Sequence, residues 1–146
     1  MADLVVAKLE REDRAAWEHL FGAYLSFYQT SMDDAGYDRA WQAFQRDDRL
    51  HALGARSGET LVGIVHFLEH PSTTAAEVCY LQDLFTAPEV RGRGVGRALI
   101  AAVVESAKSR GCSRVYWVTH ESNTVARALY DKVALNSGFV RYQIAL

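Results

Sequence analysis

Chemistry first shows itself between Tyr80 and Arg97. A strand-like run from Tyr80 to Thr86 ends at Ala87-Pro88, and after Glu89-Val90 the chain places glycine at three alternating positions, Gly92, Gly94 and Gly96. A helical pattern opens directly behind them. Glycines let the backbone approach a ligand closely, so that successive N–H groups converge on one anion. The start of a helix adds its own unpaired N–H groups and roughly half a positive charge. Arg91, Arg93 and Arg97 bring further charge, and a guanidinium can grip phosphate with two parallel hydrogen bonds. The segment Arg91-Gly92-Arg93-Gly94-Val95-Gly96-Arg97 is therefore predicted to bind a phosphate or pyrophosphate. A Walker A loop is excluded, because no Gly-Lys-Ser/Thr occurs. A Rossmann fingerprint fits poorly: Pro88 to Arg91 separate the strand from the first glycine, and Arg97 falls where spacing matters.

The same residues resemble the signature of the GNAT superfamily of N-acetyltransferases, Gln/Arg-x-x-Gly-x-Gly/Ala, which Arg91, Gly94 and Gly96 satisfy. The likeness extends to the preceding strand with Pro88, to the segment from Asn123 to Tyr130 and to Gly138-Phe139. Within the superfamily the chain looks most similar to the diamine/polyamine acetyltransferases and to the yeast histone-and-other-protein acetyltransferases. The resemblance implies acetyl-coenzyme A as co-substrate; no metal is expected, because no Cys/His cluster occurs. It implies that the backbone of Gly92 to Arg97 holds the coenzyme pyrophosphate and that Leu84, Phe85 and Thr86 line the pantetheine arm as an added strand would. The N–H of Leu84 would polarise the thioester carbonyl. Asn123 and Ala126 would meet the coenzyme at the start of a later helix, where Asn also suits an N-cap.

Tyr130 is the general acid that the resemblance implies, protonating the departing thiolate. A phenol near pKa 10 is a poor donor to a thiolate near 8.5, a gap of about 2 kcal/mol in water, so the site must change that balance. The acceptor poses the opposite problem, since a primary amine near pKa 10.4 must lose a proton before it attacks. Polyamine-type relatives carry Glu where this chain has Gln82, and a glutamine is neither base nor counter-charge. Asp83, His120 and Glu121 remain as candidates. For the acceptor itself, Tyr28, Asp33, Gln82, Asp83 and His120 are the expected contacts, in a region that also holds Tyr24, Asp34, Tyr37 and Trp41. Aromatics and carboxylates suit a cationic amine. Small amine, amino acid and protein lysine all stay open as acceptors. A coenzyme-binding sensor without turnover is the alternative function.

The elements that must position these groups follow from the pattern. The expected order is βααβββαβαβ, an α/β fold of one domain over 1–146 with a mixed sheet and helices on both faces. Leu4 to Leu9 opens as a strand. Glu12 to Gln29 carries a helical stripe of Trp17, Leu20, Phe21, Tyr24, Leu25 and Tyr28, and a second helix runs to about Gln45. His51–Arg56 and Leu61–Leu68 form a hairpin about Ser57-Gly58-Glu59, and Val78–Thr86 is the next strand. A helix from Gly96 is closed by Gly111. Arg114–Thr119 is a strand that brings His120 to its end. Ser122 or Asn123 caps a helix to about Val133, and Phe139–Leu146 is a closing strand with Val140, Tyr142, Ile144 and Leu146 on one face.

Composition sets the outer limits. The 146 residues are 49% apolar and 11% aromatic, enough for a core without disulfides or metal. Cys79 and Cys112 read as reduced packing residues, and the remaining histidines (His19, His51, His66 and His70) show no metal-ligand spacing. No apolar run approaches the roughly 20 residues of a bilayer span, and the N-terminus lacks a signal-peptide pattern, so a cytoplasmic protein is expected. Charge is divided: residues 1–90 hold 7 Lys and Arg against 15 Asp and Glu, residues 91–146 hold 9 against 3. A basic part suits a polyanionic coenzyme and an acidic part a cationic acceptor. The basic residues gather at a loop rather than along an exposed helix, which argues against nucleic acid. An edge-forming last strand offers a route to a homodimer by strand pairing.

Overall fold

The computed structural model describes residues 3–146, in two compact units, one ending at Tyr116 and a smaller one over Trp117–Leu146. In the first unit, β1 (Leu4–Lys8) and a short 3-10 turn lead into α1 (Arg14–Phe27) and α2 (Asp34–Arg46). Then come β2 (His51–Ser57), β3 (Thr60–Pro71), β4 (Glu77–Thr86), α3 (Val95–Ser109) and β5 (Cys112–Tyr116). The five strands lie in the order β1-β2-β3-β4-β5. The first four are antiparallel neighbours, and β5 joins β4 in parallel through the α3 crossover. This is the expected mixed α/β sheet.

Residue alternation along β3 shows why helices cover both faces. A Cβ at Gly63 would meet Val95 Cγ1 at 2.9 Å and Leu99 Cδ1 at 3.0 Å, so Gly63 faces α3. Three residues on, and therefore on the other face, His66 touches Trp17 and Phe21 of α1 and Phe44 of α2. The α3 stripe of Val95, Leu99, Ile100, Val103 and Ala107 is buried against one side of the sheet. Trp17, Leu20 and Phe21 with Trp41 and Phe44 are buried on the other. Burying such side chains stabilises by about 1.5–3 kcal/mol each. Both cysteines are free, and removal from water pushes the fully buried Cys79 thiol up to about 12. Among the described residues no helix is long and apolar enough to cross a membrane.

The second unit holds α4 (Thr124–Val133) between an irregular Trp117–Asn123 and an irregular segment from 134 to 146. Two expectations are corrected here. β5 stops at Tyr116, four residues short of His120, which lies in the loop. Its pairing with β4 ends at Tyr80↔Tyr116, two residues before the irregularity at Gln82, and a strand without a partner leaves its polar groups unsatisfied. The closing strand Phe139–Leu146 is not formed either. Phe139, Tyr142 and Ile144 are 92%, 91% and 87% exposed, so the alternating pattern is present without a ladder to stabilise it.

Candidate active site

Beyond Tyr80, the last six of the ten residues of β4 pair with a strand on one side only among the described residues. β5 accompanies β4 as far as Tyr80, and among the described residues no strand pairs with the other edge of Leu81–Thr86. The direction of the open groups follows from the ladder. Ala87 donates its N–H to the carbonyl of Val62 in β3 at 2.8 Å. Alternation then turns Phe85 and Asp83 toward β3 as well, and turns the N–H and C=O of Leu84 and Thr86 toward the free edge. An extended, amide-bearing ligand can pair there as a strand would.

At the end of β4 a 3-10 turn at Pro88–Val90 carries the chain into the glycine loop. Gly92 and Gly94 adopt φ of 79° and 85°, in the left-handed region that costs other residues about 1–2 kcal/mol. Gly94 is the N-cap of α3, where no side chain caps the helix. The N–H groups of the first turn, at Val95, Gly96 and Arg97, therefore lack an acceptor from the helix itself. Space is open within 4 Å of both glycine Cα substituent positions, and Arg91, Arg93 and Arg97 are exposed. Arg91 extends over the ring of Phe85, 5.3 Å from its centre. These features fit a pyrophosphate on the loop: donors converge, positive charge surrounds them, and no side chain of the loop fills the place.

On the α1/α2 side of β4 the structure gives Asp83, a candidate from the sequence, two partners that sequence reasoning missed, His66 and Trp17. Asp83 Oδ2 accepts a hydrogen bond from His66 Nδ1 at 2.9 Å, and Trp17 Nε1–H donates to His66 Nε2 at 2.9 Å. His66 is 2% exposed. Phe44 stacks on it at 4.4 Å and Phe21 meets it edge-on at 4.7 Å. Gln82 is the extra residue of the β-bulge, since His66 opposes Asp83 and Phe67 opposes Leu81. Its side chain is exposed.

Other acceptor candidates have structural duties. Asp33 caps α2, its Oδ1 accepting from Gly36 N–H at 2.8 Å. Tyr28 is the C-cap of α1 and packs edge-on against Tyr24 at 5.0 Å and Phe27 at 5.1 Å. Tyr24 in turn meets Phe85 at 6.2 Å, so an aromatic series runs from the end of α1 to β4.

In the second unit, Tyr130 lies on α4, half-buried, with its ring edge-on to Trp117 at 5.4 Å. Ala126 sits one turn earlier on α4, and Asn123 is at the N-cap position. The Asn123 side chain does not cap the helix as expected. Its Nδ2 donates to Thr119 Oγ1 at 3.3 Å, turned back toward the preceding loop. His120 and Glu121 are exposed in that loop.

Comparison with known proteins decides the family. Residues 14–134 match the acetyltransferase (GNAT) family. The chain belongs to the GNAT family. It is 35% identical over 147 residues to the D-amino-acid N-acetyltransferase HPA3 of Saccharomyces cerevisiae, across 96% of this chain and 89% of that protein. The thialysine N-epsilon-acetyltransferase of Bos taurus is 35% identical over 81 residues, 56% of this chain and 48% of that one. In three dimensions the chain matches the aminoglycoside acetyltransferase AAC(6')-Iy, solved with a coenzyme A bisubstrate analogue, at TM-score 0.88 and 18% identity over 99% of each chain. It also matches a ribosomal-protein-alanine N-acetyltransferase of Brucella melitensis biovar Abortus 2308 at TM-score 0.80 and 24% identity, over 98% of this chain and 99% of that one. As a GNAT acyltransferase, the chain is an enzyme of the group expected from its glycine loop.

A cavity of about 460 Å³ among Asp48, Arg49, His51, Glu69, Glu77 and Arg110 is separate from the GNAT loop. Arg110 caps the C-terminal end of α3, and the glycine loop opens its N-terminal end, about 22 Å away along the 15 residues of that helix.

Proposed function

We propose that this enzyme transfers the acetyl group of acetyl-coenzyme A to a primary amine by direct attack in a ternary complex, and that the acceptor is a cationic small molecule of amino-acid or diamine type. The observation that carries the reading is the free edge of β4 at Leu84 and Thr86, running into an uncapped, glycine-built helix start. Relatives named for D-amino acids and thialysine support the acceptor class. Acetyl-coenzyme A brings an activated thioester, and the chain's own groups do the rest. Gly92 to Arg97 bind the pyrophosphate. Leu84 N–H, aimed at the free edge, polarises the carbonyl. Asp83 receives the acceptor's charge and takes up its proton, directly or through water. As the C–N bond forms and the C–S bond breaks, Tyr130 gives a proton to the sulfur. Asn123 and Ala126 contribute coenzyme contacts, and Tyr28, Gln82 and His120 contribute to the acceptor side.

The reading also treats 1–146 as one N-acetyltransferase domain, supported by the family match running from 14 to 134 across the end of the first unit. A cytoplasmic location accords with two free cysteines. A second copy of the chain is the natural partner for the alternating Val140, Tyr142, Ile144 and Leu146, all exposed.

The test is release of free thiol from acetyl-coenzyme A with D- and L-amino acids, diamines, polyamines and lysine-bearing peptides. Release should depend on a small cationic amine and fall at least roughly ten-fold in Tyr130→Phe. Release with peptides alone would make the acceptor a protein amine. Tight coenzyme binding without turnover on any acceptor would make the chain a sensor.

A further inference from the structure

The hydrogen-bond chain Trp17–His66–Asp83 fixes where protons sit. An indole N–H can only donate, so His66 Nε2, 2.9 Å from Trp17 Nε1, must present its lone pair. The single ring proton is then on Nδ1, and it is donated to Asp83 Oδ2. An imidazolium would set a second N–H against the indole N–H and would bury a charge among Trp17, Phe21 and Phe44. The groups facing the imidazole are these three rings from α1 and α2, and Asp83 from β4. Tyr37 of α2 lies one ring further out, against Trp17 and Phe21.

Asp83 therefore receives a hydrogen bond without receiving a cation. Had His66 been protonated, the pair would be neutral overall and would attract an ammonium only weakly. With His66 held neutral, one carboxylate oxygen is fixed while the full negative charge remains. Asp83 stands directly before Leu84, whose amide faces the free edge of β4, and its side chain is 17% exposed. Gln82 beside it supplies no charge. We infer that Trp17 and His66 are positioning residues, a tautomer lock that keeps Asp83 as an uncancelled, oriented carboxylate for the acceptor's ammonium group. This rests on the acetyltransferase reading above, because it places Asp83 at the acceptor.

Two measurements test it, and the first does not depend on activity. Long-range proton–nitrogen NMR of histidine-labelled protein, recorded at the pH of the acetylation assay, should show His66 neutral with its proton on Nδ1. A proton on Nε2, or an imidazolium, overturns the lock whatever the enzyme acetylates. The second measures kcat/KM for the best acceptor. Asp83→Asn should lose roughly a hundred-fold. Trp17→Phe removes the donor that holds the lone pair on Nε2, so the ring proton can move there and leave Asp83 without its hydrogen bond. kcat/KM for the acceptor should fall roughly ten-fold while KM for acetyl-coenzyme A changes little. An unchanged kcat/KM for the acceptor in Trp17→Phe overturns the positioning role. Full acceptor activity in Asp83→Asn, with the NMR result intact, overturns the assignment of Asp83 to the acceptor and leaves the lock standing. Should Trp17→Phe fail to fold, His66→Gln, which keeps an N–H for Asp83 but carries no titrating ring, should retain more activity than His66→Phe; equal loss in both overturns the role.

Discussion

The guanidinium carbon of Arg91 lies 5.3 Å from the centre of the Phe85 ring, which ties the first arginine of the glycine loop to the end of β4. The proposed pantetheine edge and the proposed pyrophosphate loop are thus joined by a side-chain contact as well as by the chain. A cation–π contact at an exposed site contributes about 0.5–1 kcal/mol. Phe85→Leu keeps most of the apolar volume and removes the ring face. It should raise KM for acetyl-coenzyme A roughly two- to five-fold while kcat changes little. An unchanged KM would show that Arg91 needs no support from Phe85.

Gly94 tests the loop itself. Its φ of 85° is accessible to glycine at little cost, and no neighbouring atom lies within 4 Å of a Cβ built there. Gly94→Ala should therefore meet no clash and yet cost about 1–2 kcal/mol through backbone strain. If the loop relaxes to relieve that strain, the N–H groups at the start of α3 turn away from a common point. Binding of desulfo-coenzyme A, measured by calorimetry, should weaken by more than the loss in thermal stability. Equal binding in the variant would remove the loop from the coenzyme site.

Gly63 makes a different demand. A Cβ there would come within 2.9 Å of Val95 Cγ1, 3.0 Å of Leu99 Cδ1 and 3.3 Å of the Phe85 carbonyl oxygen. Val95 and Leu99 both belong to α3, so α3 must shift away from the sheet to admit the methyl group, and the Phe85 carbonyl on β4 must give by a few tenths of an ångström as well. Gly63→Ala should destabilise by about 1–3 kcal/mol, read as a lower urea midpoint. Because Val95 opens α3, coenzyme affinity should fall with it.

How much of this was legible beforehand depended on distance along the chain. The glycine loop, the helix behind it and the strand before it are local patterns, and the sequence expectation locates them within a residue or two: α3 begins at Val95 rather than Gly96, with Gly111 just past its end at φ 77°. The acceptor side was harder to read. His66 is 17 residues from Asp83 and 49 from Trp17, and they meet only because a bulge at Gln82 sets His66 opposite Asp83. A bulge breaks the two-residue period on which strand reading relies. Gln82 stands out in the sequence only through the family resemblance, although its visible role in the fold is to be that extra residue. The closing strand is absent for a related reason: alternation at Val140, Tyr142, Ile144 and Leu146 signals a strand, but a strand forms only against a partner, which a sequence does not identify.

Cys79 links burial to pH in a way that can be measured without any substrate. The side chain is fully buried on β4, and desolvation, with smaller contributions from Cys112 and Glu69, raises its thiol from 9.0 to about 12. In the unfolded chain the thiol ionises near its ordinary value. Between about pH 9 and pH 12 the unfolded state therefore releases a proton that the folded state keeps, and stability must fall as pH rises. The linkage slope is about 1.4 kcal/mol per pH unit for one such group, while below pH 9 the burial is felt in full. Lysines and tyrosines add their own alkaline slopes, so the informative quantity is the difference between wild type and Cys79→Ala. The variant should be less stable at pH 8, where it lacks the buried sulfur, and the two stabilities should converge as pH rises above 9. Urea unfolding at pH 8, 9, 10 and 10.5 reads this directly. Parallel curves across that range would mean that the Cys79 thiol ionises in the folded protein as readily as in the unfolded chain, and that β4 is open to water at Cys79.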